Sequence, residues 1–185
     1  YRASKAGVEI RLIVRSACCP KPQVQDLSEN IRAISIVDKF LEHARMALFC
    51  NNGSELAYIS SADWMPRNLD RRLEVAAPVH CPALRQNLRD IFDIQWADNV
   101  KARILDGTGA NKYSKGESVA PCRSQTVLHE YYSRMAARPA ADAPAAQNET
   151  SRAKKSRAPA ARNRKPMRTA PATTRDETAG AMAEP

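Results

Sequence analysis

The tripeptide Asn51-Asn52-Gly53 separates two short apolar runs, Met46-Ala47-Leu48-Phe49-Cys50 and Leu56-Ala57-Tyr58-Ile59-Ser60. Asn-Gly tolerates the positive φ that a tight hairpin demands, so the two runs are expected to pair as antiparallel strands. That pairing decides where the flanking polar residues go. His43 and Arg45 precede the first run, and Ser61 and Asp63 follow the second. A hairpin returns the end of its second strand beside the start of its first, so these side chains should meet at one end. His43 and Arg45 are two residues apart, which on extended chain puts them on the same face.

The rest of the body alternates between periods. Val8–Val14 reads as a mostly buried strand ending at Arg15, and Ile31–Val37 as a second strand after the Pro-containing loop Ser16–Ser28. Asp38–His43 is expected to form a short helical turn that carries Phe40 and Leu41 inward. Arg72–Pro78, with Glu74 near its start, reads as a further strand ended by proline. Pro82 opens a helix running to about Val100, with Leu84, Leu88, Ile91, Phe92 and Trp96 near helical spacing. Gly107–Gly116 is a loop and Cys122–Met135 a closing helix. The expectation is an α/β body over residues 1–135, a mixed β-sheet flanked by helices. The chain opens at Tyr1 in what reads as the last turns of a helix closed by Gly7, so a preceding region is expected to be missing.

Residues 136–185 hold 16 Ala and 6 Pro, with no aromatic residue, and are expected to be a disordered tail. Ten Lys/Arg against five Asp/Glu give this tail +5 of the net charge of +9. A basic excess suits polyanionic partners and does not choose among nucleic acid, polyphosphate and an acidic membrane surface. The absence of a secretory signal and of a run of eighteen apolar residues points to a soluble protein, at most peripheral to a membrane. Five scattered cysteines without a Cys-x-x-Cys pair point to a reducing cytoplasm and away from a zinc site.

The residues around the hairpin suit a phosphoryl group. Its delocalised charge needs fixed cations and donors rather than covalent machinery. Arg15 and Arg45 offer planar forks that stay charged. Histidine as a class changes charge near neutrality, so His43 can donate or accept a proton or act as nucleophile. Ser61 and Asp63 are further candidates, and Glu74 is expected to accept the second ring N–H of His43 and fix its tautomer. His80 and His129 are read as structural, Arg67, Arg71 and Arg72 as a solvated turn, Cys18-Cys19 as core-facing and inert, and Trp64 as packing. No dedicated metal ligand set is visible.

His-x-Arg, the hairpin, Ser60-Ser61-Ala62-Asp63-Trp64 and the downstream Glu74 resemble the second half-motif of the phospholipase D superfamily. Arg45 replaces its lysine, and Ser60 and Asp63 stand where it has Gly and Asn. Four blocks, Val14–Cys19, Leu27–Ile31, Ser35–His43 and Ala62–Asp70, narrow the resemblance to the C-terminal, phospholipase D-like domain of bacterial polyphosphate kinase, from Tyr1 to about Tyr132. The resemblance implies a phospholipase D-like half-domain. It also implies reversible transfer of the ATP γ-phosphate to polyphosphate through a phosphohistidine located upstream. Arg15 and His43 match the family's ATP-contacting arginine and histidine. The resemblance further implies ATP/ADP and polyphosphate as substrates, the upstream domains as partners and magnesium held upstream. It goes with a homo-oligomeric, cytoplasmic enzyme, peripheral to the inner membrane at most, with no specific nucleic-acid partner. Ser16, Pro20, Gln23 and Gln25 depart from the family pattern; where such a position needs φ > 0, losing a glycine strains the loop. Two other readings stand beside this one: a phospholipase D-like phosphodiesterase or nuclease half, and a non-catalytic polyanion-binding module.

Overall fold

The computed structural model describes residues 1–115 and 120–137, all within one unit spanning Tyr1–Gln147. Of the expected disordered tail, Ala136 instead ends a helix and Ala137 follows it as a turn, and residues 138–185 lie outside the described residues. The elements, in chain order, are α1 (Arg2–Lys5), β1 (Ile10–Ile13), β2 (Ile31–Ile36), β3 (Met46–Phe49), β4 (Leu56–Ser60), α2 (Pro66–Arg71), β5 (Ala76–Pro78), α3 (Pro82–Trp96), β6 (Ala102–Ile104) and α4 (Ser124–Ala136). Among the described residues no helix is long and apolar enough to cross a membrane.

The α/β expectation holds, with the strands divided between two three-stranded sheets rather than one. The first has the order β1-β2-β6, with β1 parallel and β6 antiparallel to β2. The second, β3-β4-β5, is antiparallel throughout. Its hairpin turn forms as the sequence suggests: Asn51, Asn52 and Gly53 take φ of 45°, 51° and 87°. Asparagine and glycine are the residues that visit this left-handed region at least cost.

The core sits on the first sheet. Ile34 and Ile36 of β2 and Ala102 of β6 are buried together, with Ile13 and Trp96 packed against them. Trp96 stacks on Phe92, one turn earlier on α3, at a 6.0 Å centroid separation. The spacing of Phe92 and Trp96 therefore marks the face of α3 that meets the sheet. On another face, the Tyr131 hydroxyl of α4 donates to Asp90 of α3 at 2.8 Å and packs the two helices together.

Asp98 ties α3, β6 and α4. Its Oδ1 accepts the amides of Val100, Lys101 and Ala102 at 3.0, 2.7 and 3.0 Å. Its Oδ2 accepts the Ser124 amide at 2.8 Å and the Ser124 hydroxyl at 2.7 Å. The side chain is fully enclosed. Burial alone would raise its pKa, but the donors on Lys101, Ser124 and Ala102 outweigh it and hold the carboxyl below its ordinary value. This residue stops α3 at Trp96, four residues short of the expected end at about Val100, by turning the chain into β6.

Several local expectations are corrected. The segment from Asp38 to His43 is not helical, and Phe40 and Leu41 point outward, 65% and 72% exposed. Polar side chains from α3 and α4 hold this segment instead of apolar burial. Trp64 does not pack; it is 82% exposed. Cys18 is only half-buried and Cys19 is exposed, so neither faces a core. Arg67 and Arg71 lie on α2, which Pro66 opens, and the strand expected from Arg72 starts only at Ala76. Short β6 escapes a periodicity argument because three residues carry too little pattern.

The departure at Gln23 has a structural consequence. Gln23 sits at φ 58°, inside a loop closed by the Ser28 hydroxyl, which accepts the Val24 amide at 3.0 Å. A side chain there costs about 1–2 kcal/mol relative to glycine, partly offset by the entropy glycine brings to the unfolded chain. Gln23→Gly should therefore raise stability by up to about 1 kcal/mol, read as a higher thermal midpoint. Asp98→Asn should cost about 3 kcal/mol, because whichever way the buried amide turns, its NH2 group faces backbone donors that it cannot accept. The stabilisation from Asp98 is full above the unfolded aspartate value of about 3.9 and fades as pH falls through the lower folded value. Urea midpoints between pH 7 and pH 3 should fall less steeply in Asp98→Asn than in the parent.

Candidate functional site

Arg15 follows β1 by two residues. The parallel pairing continues past the strand through the Val14 amide, which donates to the Ile34 carbonyl at 2.8 Å, and this fixes the direction in which Arg15 leaves the first sheet. Arg45 sits just before β3, with its carbonyl accepting the Ser60 amide at 2.8 Å, so the hairpin register sets it opposite the end of β4. Asp63 lies three residues beyond β4. The two arginines come from different sheets, and no strand of one sheet pairs with a strand of the other.

They meet on one oxygen. Asp63 Oδ1 accepts Arg45 Nε at 2.9 Å and Arg15 Nη2 at 3.2 Å. Arg15 also reaches the Glu42 carbonyl through Nη1 at 3.5 Å. All three side chains are partly open to solvent. The Asp63 carboxyl is held below the usual carboxylate range. The Arg45 hydrogen bond is the main cause, and the charges of Arg45, Arg15 and His43 add to it against partial desolvation. Two guanidiniums share this one carboxylate, and the Glu74 carboxylate lies close enough to feel the charge of Arg45.

His43 lies against Arg45. Arg45 Nη1 is 3.2 Å from His43 Nδ1, and Nη2 is 3.3 Å from Nε2. A neutral imidazole has one acceptor nitrogen, so the tautomer decides which of the two contacts is the hydrogen bond. Arg45 Nη1 also donates to the His43 carbonyl at 3.3 Å, and the His43 side chain is exposed.

Ser61 and Glu74 form an adjoining pair rather than joining His43. The Ser61 hydroxyl donates to Glu74 Oε2 at 2.5 Å and accepts the Val75 amide at 3.1 Å. Asn68 Nδ2 donates to Glu74 Oε1 at 2.9 Å. These two hydrogen bonds, the Ser61 one foremost, and the nearby charges of Arg72 and Arg45 hold the Glu74 carboxyl below its ordinary value. Among the described residues no hydrogen bond joins Glu74 to His43, so the expected tautomer-fixing contact is absent. Asn68 escaped the sequence reading, which took Arg67, Arg71 and Arg72 as a solvated turn and did not expect α2.

The structure thus brings Arg15, His43, Arg45 and Asp63 together and sets Ser61 and Glu74 beside them. His80 and His129 are exposed, on the α3 approach and on α4, and take no part. The donor set does not suit a resident metal ion. Among the described residues no group of three or more His, Cys, Asp or Glu could hold one, and Asp63 is committed to two cations. Arg45 and Asp63 should be energetically coupled: in a double-mutant cycle read by thermal denaturation, Arg45→Ala and Asp63→Ala should be less damaging together than their separate losses summed. Additive losses would contradict the shared-oxygen arrangement.

Residues 1–125 match the family described as Polyphosphate kinase C-terminal domain 2. The chain is 49% identical over 131 residues to a polyphosphate kinase of Vibrio parahaemolyticus, covering 71% of this chain and 19% of that protein. It is 46% identical over 131 residues to that of Escherichia coli K12, with the same coverage. A crystal structure of polyphosphate kinase from Porphyromonas gingivalis superposes with a TM-score of 0.69 at 46% identity, over 72% of this chain and 20% of that one. The chain spans about a fifth of the length of the curated relatives it matches. With the fold, the hairpin-borne cluster and these matches in agreement, the chain belongs to the family of polyphosphate kinase C-terminal domains.

Proposed function

We propose that this domain supplies one wall of a phosphotransfer site that moves the γ-phosphoryl group of ATP to the end of a polyphosphate chain, reversibly. The observation that carries the reading is the convergence of Arg15 and Arg45 on Asp63 with the His43 ring against Arg45. Transfer proceeds in two in-line displacements. A histidine outside this chain attacks the γ-phosphorus, the bond to the ADP oxygen breaks, and ADP leaves with that electron pair. A terminal phosphate oxygen of the acceptor then attacks the phosphohistidine, and the P–N bond breaks. Charge builds on non-bridging and departing oxygens in both steps, where fixed guanidiniums act best. Arg15 would grip the nucleotide phosphates, and His43 would protonate a departing oxygen or bind the phosphoryl group.

Asp63 fits an orienting role better than direct phosphate contact, since a carboxylate repels phosphate while it aims both arginines. Ser61 and Glu74 brace the loop behind it. Magnesium, expected for nucleotide phosphates, would be held by ligands outside the described residues, and no step here is assigned to it. Exposed Trp64, Leu69, Leu73 and Val75 flank the site and suit contact with further protein, which supports the upstream domains as partners. Homo-oligomerisation, a cytoplasmic location and contact of the basic tail with the inner membrane belong to the same reading.

The test is a chimera carrying this domain in place of the matching 131 residues of the Vibrio parahaemolyticus relative. ATP-dependent polyphosphate synthesis should fall about 10²–10³-fold in kcat in Arg15→Ala and in His43→Ala. Full synthesis in His43→Ala would remove its assigned role. Hydrolysis of phosphodiesters by the 185-residue chain itself would favour a phosphodiesterase half instead.

A further inference from the structure

His43 stands at the end of a segment with little backbone support of its own. Among the described residues, no backbone–backbone hydrogen bond is made by residues 38–44. Nor do the segment's apolar side chains anchor it, since Phe40 and Leu41 face a groove of about 560 Å³ beside Leu128 and Tyr132 of α4. What holds the segment is polar and comes from two helices. Gln125 of α4 reads the backbone of Phe40 as a neighbouring strand would: its Oε1 accepts the Phe40 amide at 3.0 Å, and its Nε2 donates to the Phe40 carbonyl at 2.8 Å. The same Nε2 donates to Glu42 Oε1 at 2.7 Å, while buried Gln95 of α3 donates to Glu42 Oε2 at 2.8 Å. At the other end of the segment, Arg123 grips Asp38 bidentately at 2.5 and 2.8 Å. Asp98 fixes the start of α4 through Ser124, between these two side chains.

We infer that α4 is a clamp for His43, with Gln125 as the positioning residue that sets the path of the 38–43 segment and so the place of the imidazole in the site. A glutamine suits this role because it presents a donor and an acceptor together, matching the paired groups of one backbone residue. The clamp reaches the site at two points. Glu42, gripped by both glutamines, also offers its carbonyl to Arg15, and His43 follows it directly. The inference rests on the proposed function only where it concerns activity; the clamp itself is a statement about structure.

The test uses the 185-residue chain first. In Gln125→Leu, hydrogen exchange at the Phe40 amide should quicken by at least about tenfold, because a hydrogen bond and a charge-assisted contact are lost together. Amides of β2 and α3 should exchange as before, which separates local loosening from global destabilisation. The His43 ring resonances should move, and those of His80 should stay. Gln125→Glu should loosen the segment as well by setting two carboxylates face to face, and the exchanged pair Gln125→Glu with Glu42→Gln should recover part of the protection. Phe40 exchange unchanged in Gln125→Leu would overturn the clamp; so would an equal effect in Gln125→Glu with and without Glu42→Gln. In the chimera, Gln125→Leu should lower kcat by about tenfold with a smaller change in KM. A loosened segment with undiminished transfer would leave the clamp standing and overturn the role given to His43.

Discussion

One carboxylate oxygen holds the site together. Asp63 Oδ1 takes a guanidinium from each of two sheets that share no strand pairing, so it links the end of β1 directly to the hairpin. Two arginines brought this close would otherwise repel each other. The carboxylate lets them stand side by side without cancelling both charges, while the neighbouring Glu74 carboxylate is held by Ser61 and Asn68 and shares the field of Arg72 as well as Arg45. The Arg45 contacts to the ring nitrogens of His43 then place a proton-handling group beside that charge.

The part of this that was legible in the sequence is the part that local chemistry dictates. Asn51-Asn52-Gly53 can hardly do anything but turn, and once the hairpin exists its register brings Arg45 beside the end of β4 and Asp63 close behind. Arg15 was legible because it ends an apolar run. Glu74 was misread because sequence order suggests a strand from Arg72. The chain instead makes α2 and then a short approach to β5, which gives Glu74 to Ser61 and Asn68. The 38–43 segment was misread for a related reason. Phe40 and Leu41 suggest inward packing, and only tertiary partners on α3 and α4, some 50 to 85 residues away, explain why they stay outside. Asp98 was passed over because the helical pattern was carried through it to Val100, and its hold on Ser124, 26 residues later, is a tertiary contact.

These long-range polar contacts give the domain a division of labour. The hairpin and β1 carry the charged groups, and α3 and α4 set their position from behind through Asp98, Gln95, Gln125 and Arg123. Much apolar surface near the site, from Trp64 to Val75, remains uncovered within the described residues. A charged cluster beside an apolar margin is what the proposed role, one wall of a shared site, asks of this surface.

The central claim is that an anion entering this domain meets His43 together with the two arginines. The most direct measurement follows the ring resonances of the three histidines while the chain is titrated with inorganic tripolyphosphate. The account expects a saturable shift at His43, with His80 and His129 unmoved, and loss of that shift in Arg15→Ala. Equal shifts at all three rings, or a His43 shift indifferent to Arg15→Ala, would contradict it.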